Sequence, residues 1–302
     1  MGSIELLPYP GRRIREIDRA RASSMESFRG MVVVITGAGS GIGRATALEF
    51  SGLGADLVLA DIAGERAEGL AREIERGGGT AIARSVDVTD RGAMEAFARE
   101  VVAEKGRVDV LVNNAGVGLG GEIKDTGLEE WEWIVNVNYW GVVHGIHFFL
   151  PGMIERRAGH IVNVASANGF APFPFEGPYA STKYAVLGLT EVLRAEVSRF
   201  GVGVTAICPG LVNTGIMRDG RLSGGCDRTS SIMHWFQRLM ARWGTDPRRI
   251  AGSIPPAIVR KRAIVRIPPY VVALDLAHRF APFLYRWVIT SVCGRRAPNH
   301  SL

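Results

Sequence analysis

Tyr179 and Lys183 are four residues apart, a spacing that puts both side chains on one face of a helix. A phenol is a poor base at its ordinary pKa of about 10. A nearby ammonium favours the phenolate and lowers that value. A tyrosine tuned in this way can pass a proton to or from a substrate oxygen. Ser166 stands 13 residues before Tyr179, just past an apolar run. Its hydroxyl can hydrogen-bond the same oxygen and stabilise a developing alkoxide. The chemistry expected of this trio is the interconversion of an alcohol and a carbonyl. A Tyr-x-x-x-Lys pair by itself is commonly surface decoration, so its weight comes from what surrounds it.

A second group of residues suits a nucleotide. Thr36-Gly-Ala-Gly-Ser-Gly-Ile-Gly43 follows a short apolar run, with Gly37, Gly41 and Gly43 in the spacing G-x-x-x-G-x-G. Where a strand turns sharply into a helix, glycine permits positive φ and lets the backbone approach a ligand. The helix N-terminus then offers free N–H groups and the positive end of its dipole to a pyrophosphate. Gly37, Ser40, Gly41, Ile42 and Gly43 are therefore expected to contact a dinucleotide, with a purely structural turn as the alternative. Asp61 ends a second apolar run, 18 residues beyond Gly43. A carboxylate there accepts from a ribose 2′-hydroxyl and repels a 2′-phosphate. Position 40 holds no cation, although Arg44 and Arg66 are neighbours, and the expected cofactor is NAD rather than NADP. Asp61 can at the same time cap the helix that follows Ala63. Asp87 and Val88, after a third run, are placed for the adenine. Asn114, in Asn113-Asn-Ala-Gly116, falls in the crevice where such sheets bind ligands, or simply ends its strand in a turn.

These residues need elements to hold them. Val32–Ile35, Asp56–Asp61, Ala81–Val86, Val108–Asn113, His160–Ala165, Val202–Ile207 and Ala263–Ile267 read as strands, apolar and β-branched as doubly buried strands are. Helical patterns lie between them, over Gly41–Leu53, Glu65–Arg76, Arg91–Glu104, Trp131–Arg157 and Tyr179–Phe200. The alternation predicts an α/β fold: a doubly wound, mostly parallel seven-stranded sheet of Rossmann type with helices on both faces. Residues 1–30 read as an Arg-rich arm whose middle, Ile14–Phe28, could form a short surface helix. Residues 31–268 read as the catalytic domain, and 269–302 as an amphipathic basic extension.

Composition narrows the class. The 302 residues are 47% apolar, enough for one large core. Cys208, Cys226 and Cys293 have no metal-ligand spacing, so no metal is expected, and a reducing, cytoplasmic setting is. His144, His147 and His160 form no ligand set either; the first two are expected as packing or interface residues. The first residues show no signal-peptide or myristoylation pattern, and no uncharged apolar stretch reaches 18 residues. The net charge is +6, but the chain from Pro256 onward carries eight Arg or Lys against one acid, Asp275. That asymmetry points to a local basic surface rather than to nucleic acid.

Together these segments resemble the short-chain dehydrogenase/reductase family in its compact single-domain form. The matching stretches are the glycine turn, Asp87, Asn113-Asn-Ala-Gly116, Asn138, Ser166, Tyr179-Ala-Ser-Thr-Lys183 and Pro209-Gly-Leu-Val-Asn-Thr214. They span roughly residues 31–215. The resemblance implies that Tyr179 is the general acid/base and that Lys183 lowers its pKa and holds the nicotinamide ribose. It implies that Ser166 orients the carbonyl, that Asn138 supports a water-linked proton relay, and that Thr214 contacts the nicotinamide carboxamide. Asn136 competes with Asn138, but the frame around Trp131 and Gly141 favours the latter. Ala165 stands where many relatives carry a second serine. Such proteins are commonly homodimers or homotetramers built through long helices, here Trp131–Arg157 and Tyr179–Phe200.

The substrate side is less constrained. Phe170-Ala-Pro-Phe-Pro-Phe175 and the Met- and Trp-bearing stretch Gly215–Trp243 (Met217, Met233, Trp235, Phe236, Met240) suggest a small lipophilic alcohol or ketone, with plain packing or a subunit interface as the alternative. Tyr270–Ile289 combines a broad apolar face with Arg279 and Arg286, after Arg260-Lys-Arg262. It could lie on an anionic membrane, cover the substrate mouth or meet a partner subunit. Rival functions are an NADP-dependent carbonyl or ketoacyl reductase, a sugar-nucleotide epimerase or dehydratase, and a non-catalytic NAD-binding scaffold. The epimerase differs in glycine spacing and in needing a larger C-terminal domain. The scaffold is disfavoured by the presence of Ser166, Tyr179 and Lys183.

Overall fold

The computed structural model describes residues 28–213, 220–223 and 244–294. Seven strands form one parallel sheet: β1 (Val32–Thr36), β2 (Asp56–Asp61), β3 (Thr80–Ser85), β4 (Val110–Asn113), β6 (His160–Val164), β7 (Gly203–Pro209) and β9 (Ile264–Ile267). Their spatial order is β3-β2-β1-β4-β6-β7-β9. Every neighbouring pair is parallel, so each connection must cross over, and helices do so. They are α1 (Gly41–Gly52), α2 (Gly64–Arg76), α3 (Arg91–Lys105), α4 (Leu128–Val135), α5 (Gly141–Glu155), α6 (Gly177–Val197), α7 (Pro247–Ala251) and α8 (Ile254–Val259). After β9 come α9 (Tyr270–Phe280) and α10 (Pro282–Gly294). A two-stranded parallel pair, β5 (Leu119–Gly120) with β8 (Arg221–Leu222), lies outside the main sheet.

Alternate residues of each strand enter opposite cores. Val33, Ile35, Leu57 and Leu59 pack with Phe50 of α1, Leu70 and Ile74 of α2, and Ile250 and Ile254 of α7 and α8. Val32, Val34 and Val58 face Met94 and Phe97 of α3, Ile146 and Phe149 of α5, and Val186 of α6. Strands buried on both faces must be apolar at every position, which explains the uninterrupted runs in the sequence. The crossovers diverge at β1 and β4, and the crevice between their carboxyl ends is where such sheets bind ligands.

Four features depart from the sequence reading. The arm up to residue 27 lies outside the described residues, but Phe28, read as the end of a surface helix, is buried and packs edge-on against Phe50 at 5.2 Å. The single helix expected over Trp131–Arg157 is two helices joined by a π turn, Asn136–Trp140. The C-terminal segment divides at Ala281-Pro282, because proline cannot donate to the helix ladder and pushes the preceding residue out of helical backbone. The small β5–β8 pair has no periodic signal of its own.

Candidate active site

The glycine turn is held by three contacts. Gly37 has φ 63° and Gly41 φ 52°. A Cβ on Gly43 would come within 2.1 Å of the Gly37 carbonyl oxygen, and one on Gly37 within 2.8 Å of the Ala115 backbone. Asn114 Nδ2 donates to the carbonyls of Thr36 and Gly37 at 3.0 Å each, stapling the end of β4 to the turn. Thr36 Oγ1 accepts from the N–H groups of Asn114 and Ala115 at 3.0 and 3.1 Å. Asp61 Oδ2 accepts from Gly39 N–H at 2.8 Å, and Oδ1 from Ala63 N–H at 2.9 Å. Asp61 therefore braces the turn as well as the start of α2. Each of its oxygens retains a further lone pair for a hydroxyl donor. At the head of α1, Ser40 makes no side-chain cap and the first turn carries no acid, so its backbone N–H groups have no side-chain partner. Those N–H groups and the close-packed glycines fit a pyrophosphate.

These elements border one cavity of about 520 Å³. Gly37, Ser40, Gly41, Ile42, Asp61, Asp87, Val88, Asn114, Ser166, Tyr179 and Lys183 all line it. Gly43 stands behind the turn as spacing for it, and Thr214 lies outside the described residues. Asp87 Oδ1 accepts from Thr89 N–H at 2.8 Å, and His144 Nδ1 is 2.9 Å from the Val88 carbonyl oxygen, which ties α5 to this wall. Among the described lining residues Arg66 and Lys183 are the cations, and Arg66 sits at the Asp61 end.

At the other end Ser166, Tyr179 and Lys183 converge. Ser166 follows β6 and is buried; Tyr179 and Lys183 stand one turn apart on α6. The Ser166 hydroxyl accepts from Asn168 N–H at 3.2 Å and lies near enough to the Tyr179 phenol to favour its ionised form. Lys183 Nζ donates to the Val164 carbonyl at 3.0 Å and lies 5.7 Å from the Tyr179 ring centroid. Burial dominates both titrations. It pushes the Tyr179 phenol above its ordinary value, against the effect of Ser166 and with reinforcement from Glu176. It pulls Lys183 down to about 8. Lys183 does not figure among the influences on the Tyr179 phenol here, so the lowering expected from sequence is absent and desolvation dominates.

Asn138 is buried in the π turn beside these groups. Its Oδ1 accepts from Val117 N–H at 2.8 Å, and its Nδ2 donates to the Val117 carbonyl at 3.0 Å and to Thr182 Oγ1 at 3.2 Å. It does not line the cavity; it holds the β4–β5 connection against α6. Asn136, the competing position, is exposed. π turns recur at functional positions because they displace one side chain from the helical register.

Sequence reasoning missed part of the wall. Trp133, Leu119, Leu211, Tyr270 and Leu274 line it, and of the Phe170–Phe175 loop only Phe173 does so, Phe170 being in the core. Tyr270 Oη accepts from Leu211 N–H at 2.6 Å, so α9 anchors the segment after β7. Among the stretch Gly215–Trp243, the named Met, Trp and Phe positions lie outside the described residues. Among the described residues, no group of three or more His, Cys, Asp or Glu side chains is placed to hold a metal.

Glu176 is the least expected lining residue. It precedes α6 by one position, and its Oε2 accepts from Asn168 Nδ2 at 2.6 Å. Burial pushes its carboxyl up to about 7, against that hydrogen bond. The unfolded chain releases the same proton near 4.5. As pH rises through that window the folded chain keeps a proton the unfolded chain has lost, so stability falls and the penalty is complete above about pH 7. At about 1.4 kcal/mol per pH unit the ceiling is about 3 kcal/mol, and partial hydration from the cavity reduces it to about 1–2 kcal/mol. Glu176→Gln keeps an acceptor for Asn168. It is expected to raise the melting temperature at pH 8 and to leave it unchanged at pH 4; equal shifts at both values would refute the assignment.

Comparison with known proteins agrees with this geometry. A family model described as short chain dehydrogenase matches residues 31–222. A Mycobacterium tuberculosis protein named "Probable oxidoreductase EphD" is 37% identical over 273 residues, covering 89% of this chain and 46% of that protein. The chain thus spans about half the length of that relative. A short chain dehydrogenase/reductase from Burkholderia phymatum, solved in complex with NAD, superposes with a TM-score of 0.77 at 34% identity, over 85% of this chain and 96% of that one. A metagenomic short-chain oxidoreductase in complex with NADP has a TM-score of 0.64 at 31% identity, over 80% and 98%. With its sheet order, its glycine turn and its Ser166–Tyr179–Lys183 trio, the chain belongs to the short-chain dehydrogenase/reductase family of nicotinamide-dependent oxidoreductases.

Proposed function

We propose that this chain interconverts a lipophilic secondary alcohol and its ketone with NAD(H), using Tyr179 as general acid/base. The observation that carries the reading is a single cavity bordered at one end by the glycine turn and Asp61 and at the other by Ser166, Tyr179 and Lys183. The N-terminus of α1 would hold the pyrophosphate, Asp61 the adenosine ribose, Asp87 and Val88 the adenine, and Lys183 the nicotinamide ribose. Thr214 is proposed for the carboxamide. When bound, the nicotinamide supplies the hydride acceptor or donor and, oxidised, a positive charge. In oxidation Tyr179, as the phenolate that the positive charge of a bound oxidised nicotinamide and the Lys183 ammonium would favour, would take the alcohol proton while Ser166 holds the oxygen in place; in reduction the phenol would give it back. Asn138, fixed to Val117 and Thr182, keeps the Lys183 side of the cavity in shape and is the proposed support for a water-linked relay. The lipophilic substrate is supported by Leu119, Trp133, Phe173, Leu211 and Leu274 on the wall. A homodimer or homotetramer is supported by exposed Trp140, just before α5, and by Tyr184 and Val192 on α6.

The test is a screen for NADH formation over lipophilic secondary alcohols and small polar sugars, with Tyr179→Phe as control. Turnover of sugars alone would remove the lipophilic substrate. Equal turnover by the variant would remove the mechanism.

NADP is the second reading, and Arg66 is the observation in its favour, because it lines the cavity beside Asp61. Asp61 argues against it, since a carboxylate next to a 2′-phosphate is repulsive. The expected kcat/KM favours NAD by at least about tenfold, one charge contact's worth in a partly buried site. A preference for NADP in the same assay sinks the assignment.

A further inference from the structure

The α9–α10 hairpin has two unlike faces. Its inner face roofs the active site: Tyr270 and Leu274 line the cavity, and buried Tyr285 donates to the Pro172 carbonyl at 2.6 Å, next to the wall residue Phe173. Its outer face is apolar and open. Phe280 is 80% exposed, Phe283 76% and Trp287 65%, with Leu276, Leu284 and Val288 each about half exposed beside them. Within each helix these positions recur three to four residues apart, so each carries an exposed apolar stripe. A stripe of aromatics this exposed marks an interaction site rather than ordinary surface.

Charge tells which partner fits. The hairpin's one acid, Asp275, is buried and paired with Arg266 and Arg279 at 2.7 Å each. The exposed surface of the hairpin therefore offers Arg286 unpaired, with Arg279 already tied to Asp275, and no free carboxylate among its described residues. A second copy packing the same face across a twofold axis would bring a second Arg286 to it and no exposed carboxylate of the hairpin to pair either one. Anionic lipid headgroups pair it, and the acyl region accepts the aromatics.

We propose that the outer face of the α9–α10 hairpin docks on an anionic lipid bilayer and sets the mouth of the cavity against it. A membrane-resident alcohol or ketone then enters past Phe173 and Leu274 without crossing bulk water. Docking itself is independent of the substrate reading above; only the lipid origin of the substrate rests on it. The hairpin is a peripheral contact: among the described residues no helix is long and apolar enough to cross a membrane.

The experiment uses the full chain with vesicles of phosphatidylcholine alone and of phosphatidylcholine with one-third phosphatidylglycerol. Binding is read by co-sedimentation and by quenching of tryptophan emission with brominated lipid. The intact chain is expected to bind the anionic vesicles, more weakly at high salt, and to bind neutral vesicles poorly. Phe283→Ser with Trp287→Ser, and separately Arg286→Glu, are expected to weaken binding by about tenfold or more. Both variants should keep the melting temperature and the turnover of a short soluble alcohol, since none of these residues lines the cavity. No binding by the intact chain, or unchanged binding by both variants, overturns the proposal. So does a concentration-dependent dimer that the double variant abolishes. Retained docking with no turnover of a vesicle-embedded alcohol, alongside turnover of soluble ones, overturns the lipid origin of the substrate and leaves the docking face standing.

Discussion

Tyr179→Phe is expected to bind NAD as well as the parent chain and to lose about 10²–10⁴-fold in kcat. Phenylalanine fills the same ring volume and removes one hydroxyl, so α6 and the cavity wall keep their packing. The lost hydroxyl is the group proposed to exchange a proton with the substrate oxygen beside Ser166. The phenol is uncharged at neutral pH in the folded and the unfolded chain alike, so its removal forfeits no charge interaction and the variant should fold as the parent does. The measurement is steady-state turnover on the best alcohol of the screen, with fluorescence titration of the cofactor. Parent-like kcat would show that another group moves the proton. Loss of cofactor binding along with turnover would show that Tyr179 is part of the nucleotide site first.

Lys183→Met separates activity from stability in the opposite sense. The ammonium is buried and its pKa is drawn down to about 8 from 10.5. The folded chain therefore binds that proton more weakly than the unfolded chain does, and at pH 7 it bears the whole penalty of burying the charge. At about 1.4 kcal/mol per pH unit the penalty approaches 3 kcal/mol, offset in part by the hydrogen bond to the Val164 carbonyl. Methionine has similar length and no charge. The variant is expected to be more stable by about 1–2 kcal/mol at pH 7, a gain that shrinks as pH rises from about 8 toward 10. Turnover is expected to fall by about 10²-fold or more, with weaker NAD binding, because the ribose contact and the ammonium beside Tyr179 both go. A variant that melts below the parent at pH 7 would mean that the Lys183–Val164 bond outweighs desolvation.

Most of the sheet could be read from the sequence because it is buried on both faces. Val32–Ile35 and Leu57–Ala60 are apolar without interruption, and Val110–Val112 repeats the pattern, which marks them as strands. The catalytic trio was legible for a related reason: Ser166 ends a strand and Tyr179 opens a helix, so local spacing already fixed their mutual position. What could not be read depends on contacts between distant segments. The π turn is pinned by Asn138 to Val117 and Thr182, 21 and 44 residues away. Glu176 sits in Pro174-Phe-Glu-Gly-Pro178, which reads as a plain turn, and becomes a cavity residue only through Asn168. Tyr270 and Leu274 belong to a segment whose pattern says amphipathic and nothing more. Which of its faces is inward was settled by β9, which delivers α9 beside the turn after β7. The pKa balance at Tyr179 was misjudged because charge proximity is visible in a sequence and desolvation is not.

The hydrogen bond from Leu211 to Tyr270 also sets an order of assembly. A nascent chain that has emerged only as far as β9 already contains the glycine turn, Ser166, Tyr179 and Lys183. It has every reactive group, yet the Leu211 amide is unpaired and the side of the cavity later filled by Tyr270 and Leu274 is open to water. Shielding from solvent thus follows in synthesis, after these side chains are in place. Until α9 and α10 dock, the growing polypeptide holds Ser166, Tyr179 and Lys183 in a vessel that is not yet closed.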